Sequence, residues 1–223
     1  MKDQLFVVAR IFHIAGGTLG LVFSIAALSV AKGSRIHKFF GKIFFWSMVS
    51  ASLASFVLSV LHENQFLFII GVFTLYLILS GRRMLRLKQI DALHKASNWD
   101  WLLSIAMGLF AVGFVVMGIR MIVLGRMFGI VPLVFGLGSL SAVREDIQYF
   151  RGLQPKKMFW YYQHMTRMIG GTIATYTAFL VVNNTMLPDL VVWLGPAFIG
   201  SILISFWRRK KQIEFEGVGK ISE

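Results

Sequence analysis

Between Trp101 and Leu124 the chain reads WLLSIAMGLFAVGFVVMGIRMIVL, with Arg120 its only charged residue. A helix needs about 20 mostly apolar residues to cross the ~30 Å hydrocarbon core of a bilayer. This run supplies them without a break. The other apolar runs are Leu5–Val30, Ile43–Leu61, Phe66–Ser80, Met127–Ala142, Met165–Val182 and Leu187–Trp207. The third and fifth in chain order are short. They are expected to reach into their flanks, where arginine side chains snorkel to the interface; the alternative is six spans and one re-entrant segment. The fold class that follows is all-α, a polytopic bundle of seven transmembrane helices forming one domain over residues 1–223.

Composition agrees. Hydrophobic residues make up 57% of the 223 residues, charged residues 15%, and the mean hydropathy is +0.70. A soluble domain carries roughly 45–50% apolar and about 25% charged residues, so a core of this size cannot hide the apolar surface and the bilayer must act as solvent. The first apolar run lacks a basic leader and contains Arg10 and His13, which reads as a retained span rather than a cleaved signal. With no cysteine, disulfides, thiolate chemistry and Cys-ligated metals are excluded.

The net charge of +13 does not point to nucleic acid, because the basic residues lie in short clusters between spans and not in a separate basic domain. They fit anchors on an anionic lipid surface. With seven spans, Lys32–Lys42, Arg82–Lys95, Arg144–Arg167 and Arg208–Lys220 fall on one side. Of the 23 Lys and Arg, only Lys2, Arg10, Arg120 and Arg126 fall on the other. Cytoplasmic loops carry the excess of Lys and Arg, so the N-terminus is expected outside and the C-terminus in the cytoplasm. Trp99, Trp101, Trp160, Tyr161, Tyr162 and Trp207 sit near the expected inner ends, the depth amphipathic rings favour. In Arg82–Lys95, Met84, Leu87, Ile90 and Leu93 recur every three residues among basic ones, a pattern that suits an interfacial helix on anionic lipid.

Small residues four apart mark expected helix contacts: Gly16 with Gly20, Ser50 with Ala54, Gly170 with Ala174. Pro132 and Pro196 lie within spans and are expected to kink them. The echo between Gly16-Gly17-Thr18 and Gly170-Gly171-Thr172 reads as coincident contact motifs, since the neighbouring spans show no matching similarity.

Two polar groupings can carry chemistry. The outer one centres on Arg10, His13, His62 and Glu63. His13 lies ~12 Å along the first span, and an ionisable residue inside a span suggests function, though a neutral imidazole tying two helices together explains it equally. His13, His62 and Glu63 are the residue types of a catalytic zinc site without its H-x-x-x-H spacing, and His13 with His62 is the outer pair that can ligate a haem. The inner grouping is His37, Asp146, His164 and Arg167. Carboxylate, imidazole and guanidinium at one depth suit an anionic head group, a metal or proton transfer; a salt-bridged rim is the plain alternative. No P-loop, G-x-S-x-G or EF-hand spacing occurs, and no lysine lies within the seventh span for a Schiff base.

Three stretches, Arg10-Ile-Phe-His13-Ile-Ala-Gly16-Gly17, Gly33-Ser-Arg-Ile-His37-Lys38-Phe-Phe-Gly41-Lys42, and His164-Met-Thr-Arg167-Met-Ile-Gly170 running on to Asn183, resemble a family of bacterial multi-pass membrane proteins of unknown function. They cover about a fifth of the chain. The resemblance implies the bacterial inner (cytoplasmic) membrane and marks His13, His37, His164 and Arg167 as family-typical positions; it implies no activity. Three functional classes remain open: binding or transport of a small ligand, lipid or ion; a membrane-embedded metal-dependent enzyme using His and carboxylates; and a structural or sensory partner without chemistry.

Overall fold

The computed structural model describes residues 2–61, 64–88, 96–153 and 158–219, with side chains as far as Glu214. Among them the chain is all helix: α1 (Lys2–Ser29), α2 (Arg35–Leu61), α3 (Gln65–Met84), α4 (Asn98–Val123), α5 (Ile130–Phe150), α6 (Phe159–Asn183) and α7 (Asp189–Gly219), with a 3₁₀ turn at Met127–Gly129 leading into α5. All seven helices are long and apolar enough to cross a membrane.

Burial is inverted relative to a soluble protein. Leu109, Val123 and Phe198 are each at least 70% exposed, while Ser139 and Asp146 are fully buried. Outward faces built from Leu, Val, Ile and Phe need an apolar solvent, and an interior of Ser, Thr and Gly lets helices approach and hydrogen-bond. α3 sits at the centre, against α2, α4 and α6, and α6 also meets α1 and α7. One end of the bundle carries the start of α1 and is called the N-terminal end; the other, with Arg35, Arg82, Arg83 and Arg208, is called the basic end.

Close helix contacts fall partly where small residues were expected. A Cβ on Gly16 would stand 2.7 Å from the Ser47 carbonyl oxygen and 3.2 Å from Ala51 Cβ, so α1 and α2 touch backbone to backbone there. On α2 the closely packed small residues are Ser47, Ala51 and Ser55; Ser50 is half-buried. Gly170 lies against Leu77 of α3. Between α4 and α5 the chain turns through Gly125 at φ +74°, where a glycine carries no Cβ penalty. Pro132 falls in the first turn of α5, where its missing N–H has no intrahelical acceptor to lose, so the expected kink has no cause. Pro196 lies inside α7.

The helices outrun the apolar runs, chiefly at the basic end. α2 begins at Arg35 instead of Ile43, α6 at Phe159 instead of Met165, and α5 continues through Arg144-Glu145-Asp146 to Phe150. Hydropathy stops at the first charges, whereas a helix continues as long as its backbone bonds and side-chain partners are satisfied. His37 and His164 thus lie within helices, and Asp146 lies inside α5, not after it. The expected interfacial helix also changes. Arg82–Met84 end α3, and Met84 and Leu87 are buried against Tyr149 and Phe159 and do not form an outward apolar face; residues 89–95 lie outside the described residues.

Candidate functional site

At the basic end, α3, α4, α5 and α6 converge on Asp146. Its Oδ1 accepts from Arg167 Nη2 at 2.5 Å; its Oδ2 accepts from Tyr76 Oη at 2.7 Å and from Ser104 Oγ at 2.8 Å. The Arg167 guanidinium stands 5.6 Å from the Tyr76 ring centroid. Asp146 is 0% and Arg167 2% exposed. Arg167 Nε and Nη1 and Thr166 Oγ1 are buried without a protein partner. Next to the pair, Gln163 Nε2 donates to Glu145 at 2.7 Å. A second fork joins α3 to α4: Arg83 Nε and Nη2 each lie 2.6 Å from the Asp100 carboxylate, which also accepts from the Ser97 backbone N–H and hydroxyl. Bidentate arginine–carboxylate geometry adds direction as well as energy.

The four inner residues separate into two pairs. Asp146 and Arg167 meet. His164, three residues before Arg167, turns to α3, where its Nδ1 lies 2.8 Å from the Gly81 carbonyl oxygen. His37 of α2 lies in its neighbourhood, as do Arg82 and Lys88. Its own Nδ1 lies 3.0 Å from the Ala27 carbonyl oxygen at the end of α1. Lys32 also donates to carbonyls there, and partial burial holds its ammonium pKa below the ordinary lysine value. Gly81 joins the two pairs, because a Cβ on it would stand 3.0 Å from Arg167 Cβ while its carbonyl receives His164.

His13 follows the same rule at the N-terminal end, with Nδ1 3.0 Å from the Ala51 carbonyl oxygen of α2. A carbonyl oxygen only accepts, so in His13, His37 and His164 the Nδ1 carries the hydrogen, and a neutral ring leaves Nε2 as an acceptor. Arg10 does not join His13: it is exposed, 5.5 Å from the Phe6 ring of its own helix. His62 and Glu63 lie outside the described residues. Among the described residues no three His, Asp or Glu side chains gather as metal ligands.

Beside His13 a cavity of about 780 Å³ opens between α1, α2, α3, α6 and α7. Its mouth carries Asn64, Asn183 and Asp189, and its wall Phe66, Phe128 and Trp193, whose rings contact one another edge-on or tilted at 4.7–5.8 Å. Its deeper lining includes His13, Ser52 and Thr74. Ser52 and Thr74 are 3% exposed, and neither hydroxyl makes a hydrogen bond with another described residue. Hydroxyls buried in an apolar bundle are normally paired.

Sequence reasoning passed over Tyr76, Ser104, Asp100, Ser52 and Thr74. Asp100 was readable, since Ser97-x-x-Asp100 is a capping pattern at a helix start. Tyr76 was readable as a tyrosine inside a span, whose hydroxyl must find a partner. Single serines and threonines in spans carried no comparable signal. Comparison with family models, with curated proteins and with solved structures returns no match.

Proposed function

We propose that this chain is a multi-pass protein of the bacterial cytoplasmic membrane that binds a small, largely apolar ligand in the cavity beside His13. The observation that carries the reading is the cavity itself: about 780 Å³, the size of a small-molecule site, mostly apolar with a few polar groups, of which the Ser52 and Thr74 hydroxyls bond to no other described residue. The clustering of Lys and Arg at the opposite end supports an orientation with the N-terminus outside and the C-terminus in the cytoplasm, so the cavity opens outward. Seven apolar helices and the likeness of the Arg10–Gly17 and His164–Asn183 stretches to a bacterial membrane family support the location. The basic end, with Arg82 4.6 Å from the Phe45 ring and Lys88 4.8 Å from the Trp160 ring, suits contact with anionic lipid. Asp146 and Arg167 are assigned to holding four helices together, because both are shut off from solvent.

The test uses Gly17, which lines the cavity and has open space where a Cβ would go. Gly17→Leu places a side chain in the cavity from a position where a Cβ meets nothing within 4 Å. Small molecules extracted from purified wild type and variant should differ by a compound present only with wild type. Identical extracts would end the reading. For orientation, a reporter after Glu223 should be cytoplasmic and one in the 183–189 loop external; both on one side would remove the topology.

A further inference from the structure

The cavity is layered, and the order of its layers restricts what it accepts. Counting 1.5 Å per residue from the helix ends at the N-terminal end of the bundle, His13, Ser52 and Thr74 lie ~12–17 Å deep and, with Leu21 and Met48 lining the cavity deeper, form the polar floor of its outer part. Above them stands the wall of Phe66, Phe128 and Trp193, and above that the mouth with Asp189. Polar groups beneath the aromatic wall of this outer part are the reverse of what a phospholipid of that leaflet offers there, whose chains point inward and whose head group stays at the surface. We propose that the cavity takes a compact neutral molecule with an aromatic body and a hydroxyl at its buried end, of the phenol class, whose O–H is received by His13 Nε2. This rests on the cavity being a ligand site, as proposed above.

The floor defines the head group by elimination. His13 commits Nδ1–H to the Ala51 carbonyl oxygen, so its neutral ring offers the cavity only the Nε2 lone pair. Ser52 and Thr74 hydroxyls give or take a hydrogen. Among the described lining residues, no lysine or arginine reaches the floor to balance a carboxylate or phosphate, since Arg10 is exposed beside Phe6. The only described carboxylate in the lining is Asp189, at the mouth, so a cation finds no counter-charge deep in the site. Burying an unpaired charge costs far more than burying a hydroxyl that finds an acceptor. A neutral donor remains. The three rings of the wall favour a flat partner, which they can meet by stacked or edge-on contact.

The probes are 1-naphthol and 1-methoxynaphthalene, alike in shape and different in having or lacking the O–H. Binding to the full chain purified in detergent is followed by calorimetric titration. Wild type should bind 1-naphthol about tenfold more tightly, since an acceptor left unpaired costs about that factor. His13→Ala should erase the preference. If His13→Ala does not fold, Ser52→Ala with Thr74→Val, which removes no hydrogen bond between described residues, should narrow it several-fold. Gly17→Leu should weaken binding of both probes. Equal affinity of wild type for the two probes, with both weakened in Gly17→Leu, would overturn the donor inference and leave the cavity reading intact. No binding of either probe, or binding indifferent to Gly17→Leu, would overturn both.

Discussion

The two ends of the bundle use similar polar residues to opposite effect. At the basic end Asp146 spends both carboxylate oxygens on three helices: Arg167 from α6, Tyr76 from α3 and Ser104 from α4. At the N-terminal end, one ring nitrogen of His13 is used, on Ala51, and the hydroxyls of Ser52 and Thr74, beside an open space, bond to no other described residue. A polar group inside a bilayer is costly in either setting. The basic end recovers much of the cost within the fold, although Arg167 Nε and Nη1 and Thr166 Oγ1 keep no described partner. In the proposed reading, the N-terminal end leaves part of it to be recovered by a ligand. Neither ionisable residues in spans nor unpaired polar atoms therefore mark a ligand site by themselves; the proposed site rests on the open space beside them.

The comparison breaks most directly at Asp146. Asp146→Ala leaves Arg167 charged, buried and unpaired, and should cost about 3–5 kcal/mol, read as loss of folded protein in a detergent melt. A loss under 1 kcal/mol would mean that the pair is not what holds the basic end. Gly16→Val comes next. Its Cβ would meet the Ser47 carbonyl oxygen at 2.7 Å, backbone that cannot rotate away, so overpacking should cost about 1–3 kcal/mol. Arg83→Ala belongs in the lower part of that range, about 1–2 kcal/mol, because Asp100 keeps its bonds to Ser97. The smallest effect should be Gly17→Leu, one residue from Gly16: within about 0.5 kcal/mol of wild type, since it enters empty space. A large loss there would mean that the cavity is not open as described.

Seven helices were legible because hydropathy reads the bilayer directly, and the run from Trp101 to Leu124 has one reading. Their ends at the basic side were not, because Arg144 to Asp146 and Phe159 to His164 break an apolar run while continuing a helix. The candidate site was legible only as a depth. Sequence placed His37, Asp146, His164 and Arg167 together at one level, but direction around the helix axis decides partners. Arg167 faces α5 and His164 faces α3 from a spacing of three residues, and no periodicity argument distinguishes them without the helix order. The cavity was invisible for a different reason. It is made by what is missing between α1, α2 and α6, where Gly17, Ala174 and Ala178 leave room, and single small residues in a span also mark tight contact, as Gly16 does.

The turn at Gly125 bears on how the chain is made. Arg126 N–H returns to the Met121 carbonyl and Gly125 N–H to that of Ile122, and a Cβ on Gly118 would fall 2.7 Å from the Gly129 carbonyl oxygen. With so little chain between them, α4 has no slack in which to settle before α5 emerges. On the proposed membrane reading, so tight a turn favours entry of the two into the bilayer as one helical hairpin. Arg120 and Arg126 then lie together near its tip, and the apolar length of both helices is available at once to offset the cost of carrying two positive charges across.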